Sequence, residues 1–147
     1  MTATTAVRFP SVAWFEALNA LCNGQDLFRV KRDGACDALV GIRVGDQLFE
    51  LRFEMLKVAS ACEISVDDLP NVDFWLEQTP EAWQAMLEST RKLGRAEGNY
   101  TLNSLDLMAA DDFARSHDAN RRDAFYRFNQ TFQDYFDASA ALETVFA

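Results

Sequence analysis

The sequence predicts an α+β domain, a five-stranded and mainly antiparallel sheet covered by helices. Three observations carry that prediction. Residues 39–66 contain runs with the alternation of strands, with a turn signal between the first two. Residues 79–93 combine helix-start chemistry with apolar residues at helical spacing. Residues 125–142 carry an aromatic stripe that steps by three and four.

Each element follows from local chemistry. Residues 1–9 read as a loose lead-in. Phe9-Pro10-Ser11 then opens a helix whose apolar positions 14, 15, 18, 21 and 22 share one face. Asn23-Gly24 ends it, with Gly suited to the left-handed conformation beyond a helix. Residues 39–44 form the first strand, and Gly45-Asp46 turns the chain. In residues 48–54, Phe49, Leu51 and Phe53 lie on one face and Glu50, Arg52 and Glu54 on the other. That pattern describes a half-buried strand. Residues 57–66 make a third strand and complete an antiparallel meander. Asp67 to Asn71 is a loop, and Val72 to Glu77 a fourth short strand.

Thr79, Pro80 and Glu81 are an N-cap, a first helical residue and a first-turn acid. The helix they start buries Trp83, Met86 and Leu87 and ends near Leu93-Gly94. Residues 101–108 alternate in their second half and read as a fifth strand; a helix begun by Ser104 is the rival. Residues 119–142 form a C-terminal helix, capped by Asp118 or Asn120 and carrying Phe125, Phe128, Phe132, Tyr135 and Phe136 on its stripe. No linker divides the chain, so residues 1–147 are expected to form one domain.

Composition narrows the function. The chain has 147 residues and a formal net charge of −9, which argues against nucleic acid and anionic membrane surfaces as partners. It holds no apolar run long enough to span a bilayer, and its first residues lack the pattern of a secretory signal. Cys22, Cys36 and Cys62 show no metal or disulfide spacing, and His117 is the single histidine. The three cysteines read as buried thiols of a cytoplasmic protein. No cofactor or metal is expected: phosphate-binding glycine motifs and the GxSxG signature are missing from the sequence.

Several stretches resemble the sterol carrier protein 2-like (SCP-2-like) superfamily. They are Trp14-Phe15-Glu16-Ala17-Leu18, Ala38 through Gly45, Gln47 through Phe53, and Val72-Asp73-Phe74 leading through Thr79-Pro80-Glu81-Ala82-Trp83 to Leu87. The resemblance covers about residues 10–108. It implies a five-stranded sheet covered by helices around an apolar tunnel, and binding of sterols, fatty acids, fatty acyl-CoA or other apolar small molecules. The chain departs from that pattern at Ser60-Ala61-Cys62 in the third strand. It departs again from Ala109 onward, where the ending is longer and more aromatic.

The leading functional reading is therefore a carrier for an apolar small molecule. Trp14, Phe15, Phe53, Trp75, Trp83, Phe125, Phe128, Phe132, Tyr135 and Phe136 are its candidate lining. The plain alternative for the same residues is a filled core. Strand alternation puts Phe74 and Trp75 on opposite faces, so only one of them can line a given cavity. Arg115, Arg121 and Arg122 would hold an anionic head group, or simply pair with Asp118 and Asp123. A second reading is a small cofactorless enzyme in which Asp112 orients His117 for acid–base chemistry on a hydrophobic substrate. A third is a homodimer built through the aromatic helix face.

Overall fold

The computed structural model describes residues 6–108 and 113–146. In chain order the elements are β1 (Val7–Phe9), α1 (Val12–Gly24), α2 (Leu27–Val30), β2 (Ala38–Val44), β3 (Gln47–Glu54) and β4 (Lys57–Ile64). There follow β5 (Phe74–Gln78), α3 (Pro80–Leu93), α4 (Leu102–Met108), β6 (Ala114–Arg115), α5 (Ala119–Arg127), α6 (Asn129–Asp137) and β7 (Thr144–Phe146). The sheet runs β4-β3-β2-β5-β6. Only the β2–β5 pair is parallel, so the sheet is mixed but mainly antiparallel, in an α+β fold.

Local chemistry accounts for most boundaries. The Ser11 hydroxyl accepts the Trp14 N–H at 3.0 Å and starts α1. Thr79 does the same for Ala82 at 3.1 Å, with Pro80 next in line, and Gly94 at φ 85° closes α3. Gly45, at φ 61°, makes the tight turn between β2 and β3. Asp118 caps α5 by accepting the Asn120 N–H at 2.8 Å.

The inner face of the sheet is continuous apolar surface. Val40, Ile42 and Val44 of β2, Phe49, Leu51 and Phe53 of β3, and Phe74 and Leu76 of β5 are all buried there. Helices α1, α3 and α6 cover it with Trp14, Phe15, Leu18, Trp83, Met86, Phe132, Tyr135 and Phe136. The outer face carries a smaller cluster, in which Leu69 and Val72 fold against Leu48 and Trp75. Phe74 and Trp75 thus face opposite ways, as strand alternation requires. β4 is an edge strand, and the Asn23 amide bonds both Val58 N–H (3.0 Å) and Val58 C=O (2.9 Å), closing part of that edge.

Five expectations from sequence need correction. Residues 101–108 are not a strand. The Thr101 hydroxyl caps Ser104 N–H at 3.2 Å, Leu102 is buried, and α4 forms. The fifth strand is the two-residue β6, which bonds to β5. Residues 7–9 are not loose, because β1 pairs in parallel with β7 and Phe9 enters the core. The segment 119–142 is not one helix. At Phe128 the backbone leaves helical angles (φ −110°, ψ 23°), and a separate helix, α6, runs from Asn129 to Asp137. Gly24 is the last residue of α1 rather than a left-handed cap; the left-handed residue is Asp26, at φ 50°. Cys22 and Cys36 are buried free thiols, but Cys62 is exposed, because it lies on the outer face of the edge strand.

Candidate functional site

The structure places the ten aromatic candidates unevenly. Trp14, Phe15, Phe53, Trp83, Phe125, Phe132, Tyr135 and Phe136 join one core. Their rings pack on one another: Phe53 lies 5.1 Å from Phe132 and 5.4 Å from Tyr135, and Phe136 lies 5.6 Å from Trp83. Phe74 bridges Phe125 (5.6 Å) and Phe132 (5.2 Å). Their polar atoms are satisfied within the protein. Trp14 Nε1 donates to Thr144 Oγ1 (2.9 Å), Trp83 Nε1 to Arg43 C=O (2.8 Å) and Tyr135 OH to Asn19 Oδ1 (2.7 Å). Rings packed in edge and tilted contacts, with their donors paired, behave as core. Phe128 is half-buried beneath the Arg127 guanidinium, 5.6 Å from its ring.

Trp75 stands apart on the outer face. Its indole N–H donates to Glu77 Oε1 at 3.1 Å, and the His117 ring lies against it at 5.4 Å. His117 is exposed, and the proposed partner Asp112 lies outside the described residues.

The three arginines do not converge. Arg115 pairs with Glu77 at 3.3 Å on the outer face. Arg121 binds Asp73 Oδ1 at 3.2 Å and the carbonyls of Pro70 (2.9 Å) and Asn71 (2.8 Å), fixing α5 to the start of β5. Arg122 donates to Ala114 C=O at 2.7 Å and lies 4.0 Å from Asp106. These arginines tie elements together.

Thiol chemistry is disfavoured where the cysteines are buried. Burial pushes Cys22 and Cys36 up to about 12, and it raises exposed Cys62 as well. Among the described residues no group of three or more His, Cys, Asp or Glu side chains could hold a metal ion. No helix among them is long and apolar enough to cross a membrane.

A different site emerges between the start of α3 and α4. A groove of about 480 Å³ is lined by Ala82, Tyr100, Leu105, Met108 and Phe113, with Glu77, Gln78, Thr79 and Asn99. Its volume lies in the range of small-molecule sites. Large apolar side chains remain in water there: Met108 is 64% exposed and the adjacent Leu107 79%. Phe113 connects the groove to the core, 6.1 Å from the Trp83 ring. The strand reading of residues 101–108 concealed this site. The signal that would have found it is Thr101 as an N-cap, which turns Leu102 and Leu105 to one side and leaves Leu107 and Met108 outside.

Comparison with known proteins adds no relative: no protein-family model, no curated protein and no solved structure matches this chain.

Proposed function

We propose that the protein binds an apolar small molecule in the groove between α3 and α4, as a carrier rather than a catalyst. The groove itself carries this reading, because it combines about 480 Å³ of space with exposed Tyr100 and Met108 and half-buried Leu105. Transfer of a ligand from water onto these walls contributes about 25 cal/mol per Å² of apolar area buried. Gln78, Thr79 and Asn99 supply neutral polar atoms that would orient one polar group of the ligand. The resemblance of residues 10–108 to the SCP-2-like superfamily supports the same class of ligand. The interior aromatics serve as the rigid wall behind the groove. Three free thiols fit a reducing, cytoplasmic location.

The test begins with native mass spectrometry of freshly purified protein, followed by denaturing extraction and titration of the ligand-free chain with Nile red. A bound apolar mass, or saturable Nile red binding, is expected. Met108→Glu places a charge on an already exposed wall and should weaken Nile red binding about tenfold or more. Unchanged binding in that variant, or none in the native chain, overturns the reading.

A further inference from the structure

A second pocket, of about 490 Å³, opens where α6 meets the residues that follow α2 and α3. Gln130, Asp134 and Asp137 of α6 line it, and their spacing of four and three puts them on one helical face. Lys31, just after α2, and Arg95, just after α3, line it too. Leu27 and Ala138 add aliphatic wall.

The acids keep acceptors in reserve. Asp134 lines the pocket although it is only 7% exposed. Its Oδ1 accepts from Gln130 Nε2 at 2.9 Å. Asp137 Oδ1 accepts from Ala96 N–H and from Gln133 Nε2, each at 2.9 Å. Among the described residues, Oδ2 of neither aspartate accepts a hydrogen bond. A carboxylate oxygen this far from bulk water is costly without a donor, and a ligand that brings one recovers that cost. The cations are similarly placed. Lys31 forms no ion pair among the described residues. Arg95 meets Glu97 through Nε at 3.1 Å, which leaves both terminal guanidinium nitrogens for a further acceptor.

This mixture of charge selects its ligand. A simple cation would meet Lys31 and Arg95, and a simple anion Asp134 and Asp137; a molecule with both charges satisfies both sets. An ammonium has three N–H donors, which match Asp134 Oδ2, Asp137 Oδ2 and Gln130 Oε1. A carboxylate suits a lysine ammonium and the paired N–H groups of a guanidinium. We propose that this pocket binds a small aliphatic zwitterion, with its ammonium on Asp134, Asp137 and Gln130 and its carboxylate on Lys31 and Arg95. The site shares no residue with the groove at α4 and is independent of it.

NMR titration of the ¹⁵N-labelled full chain with glycine, γ-aminobutyrate and ε-aminocaproate tests the assignment, because the three differ in charge separation. At least one should bind saturably below about 10 mM. It should shift amides within residues 25–31, 94–97 and 130–141 and spare residues 99–108. Its single-charge counterparts (methylamine and acetate, propylamine and butyrate, or pentylamine and caproate) should bind there at least about tenfold more weakly. Lys31→Gln and Arg95→Gln alter exposed side chains, so both should fold, and each should weaken zwitterion binding about threefold or more. Asp137→Asn should weaken it as well. No saturable binding by any of the three zwitterions overturns the proposal. So does an amine that binds as tightly as the zwitterion, which marks an acidic surface only, or zwitterion binding that neither cation variant changes.

Discussion

A methyl group added at Gly41 would sit 2.7 Å from Cβ of Trp75, its neighbour across the parallel β2–β5 pair. The clash involves a side-chain atom fixed next to the backbone, so little can yield. Gly41→Ala should cost about 1–3 kcal/mol and lower the urea midpoint without changing its slope. A midpoint equal to that of the native chain would show that β5 gives way. Arg121 makes a second residue-scale claim. Its guanidinium holds Asp73 and two carbonyls of the preceding turn, and Asp73 in turn accepts Leu39 N–H at 2.8 Å. Arg121→Ala should destabilise by about 1–2 kcal/mol, with Arg121→Lys restoring only part of it, because Lys lacks the planar fork. From sequence this arginine was a candidate for a ligand head group. Nothing in a linear chain says that residues 70–73 lie beneath residue 121, so its structural role was not legible there.

Elements divide by how local their causes are. α3 was legible in full, since its cap, its proline, its buried stripe and its terminal glycine all lie within residues 79–94. β3 was legible from alternation alone, and the β2–β3 turn from Gly45. β1 was not: it is a strand only because β7 lies beside it, more than 130 residues away. The fracture of the C-terminal helix at Phe128 was equally hidden, because the step of three and four runs through it unbroken. The fracture matters for packing. Phe125 on α5 and Phe132 on α6, on either side of it, both reach Phe74. Phe132→Ala should cost about 3–5 kcal/mol, read by thermal or urea unfolding. Since α6 roofs the inner face, a chain cut before residue 119 should fail to fold cooperatively. A truncated chain with a sharp unfolding transition would contradict that.

On the scale of the whole molecule, proton binding sets the stability profile. Asp33 rises from 3.8 to about 7 on folding, so between those values the native chain holds the extra proton. The unfolding free energy should therefore fall as pH rises from about 4 to about 7 and then level off. From about 9 upward it should fall again, because Cys22 and Cys36 stay protonated in the native state up to about 12 while the unfolded thiols ionise. Urea midpoints at five or six pH values would trace both steps. In Asp33→Asn the first should shrink to the part that burial of Asp137 contributes and the second remain; an undiminished first step would assign it to another group.

The pairing of Val7, Arg8 and Phe9 with Thr144, Val145 and Phe146 also governs how the protein is made. During translation residues 7–9 reach solvent well before their strand partners, residues 144–146. Phe9 lacks its contact with Phe146, and the Trp14 indole its Thr144 acceptor, until the ribosome has released nearly everything between them. The β2–β3–β4 meander can assemble on the nascent chain, but the seam that joins residue 7 to residue 144 closes only afterwards. A nascent chain stalled short of that seam would present its aromatic interior to chaperones rather than hide it.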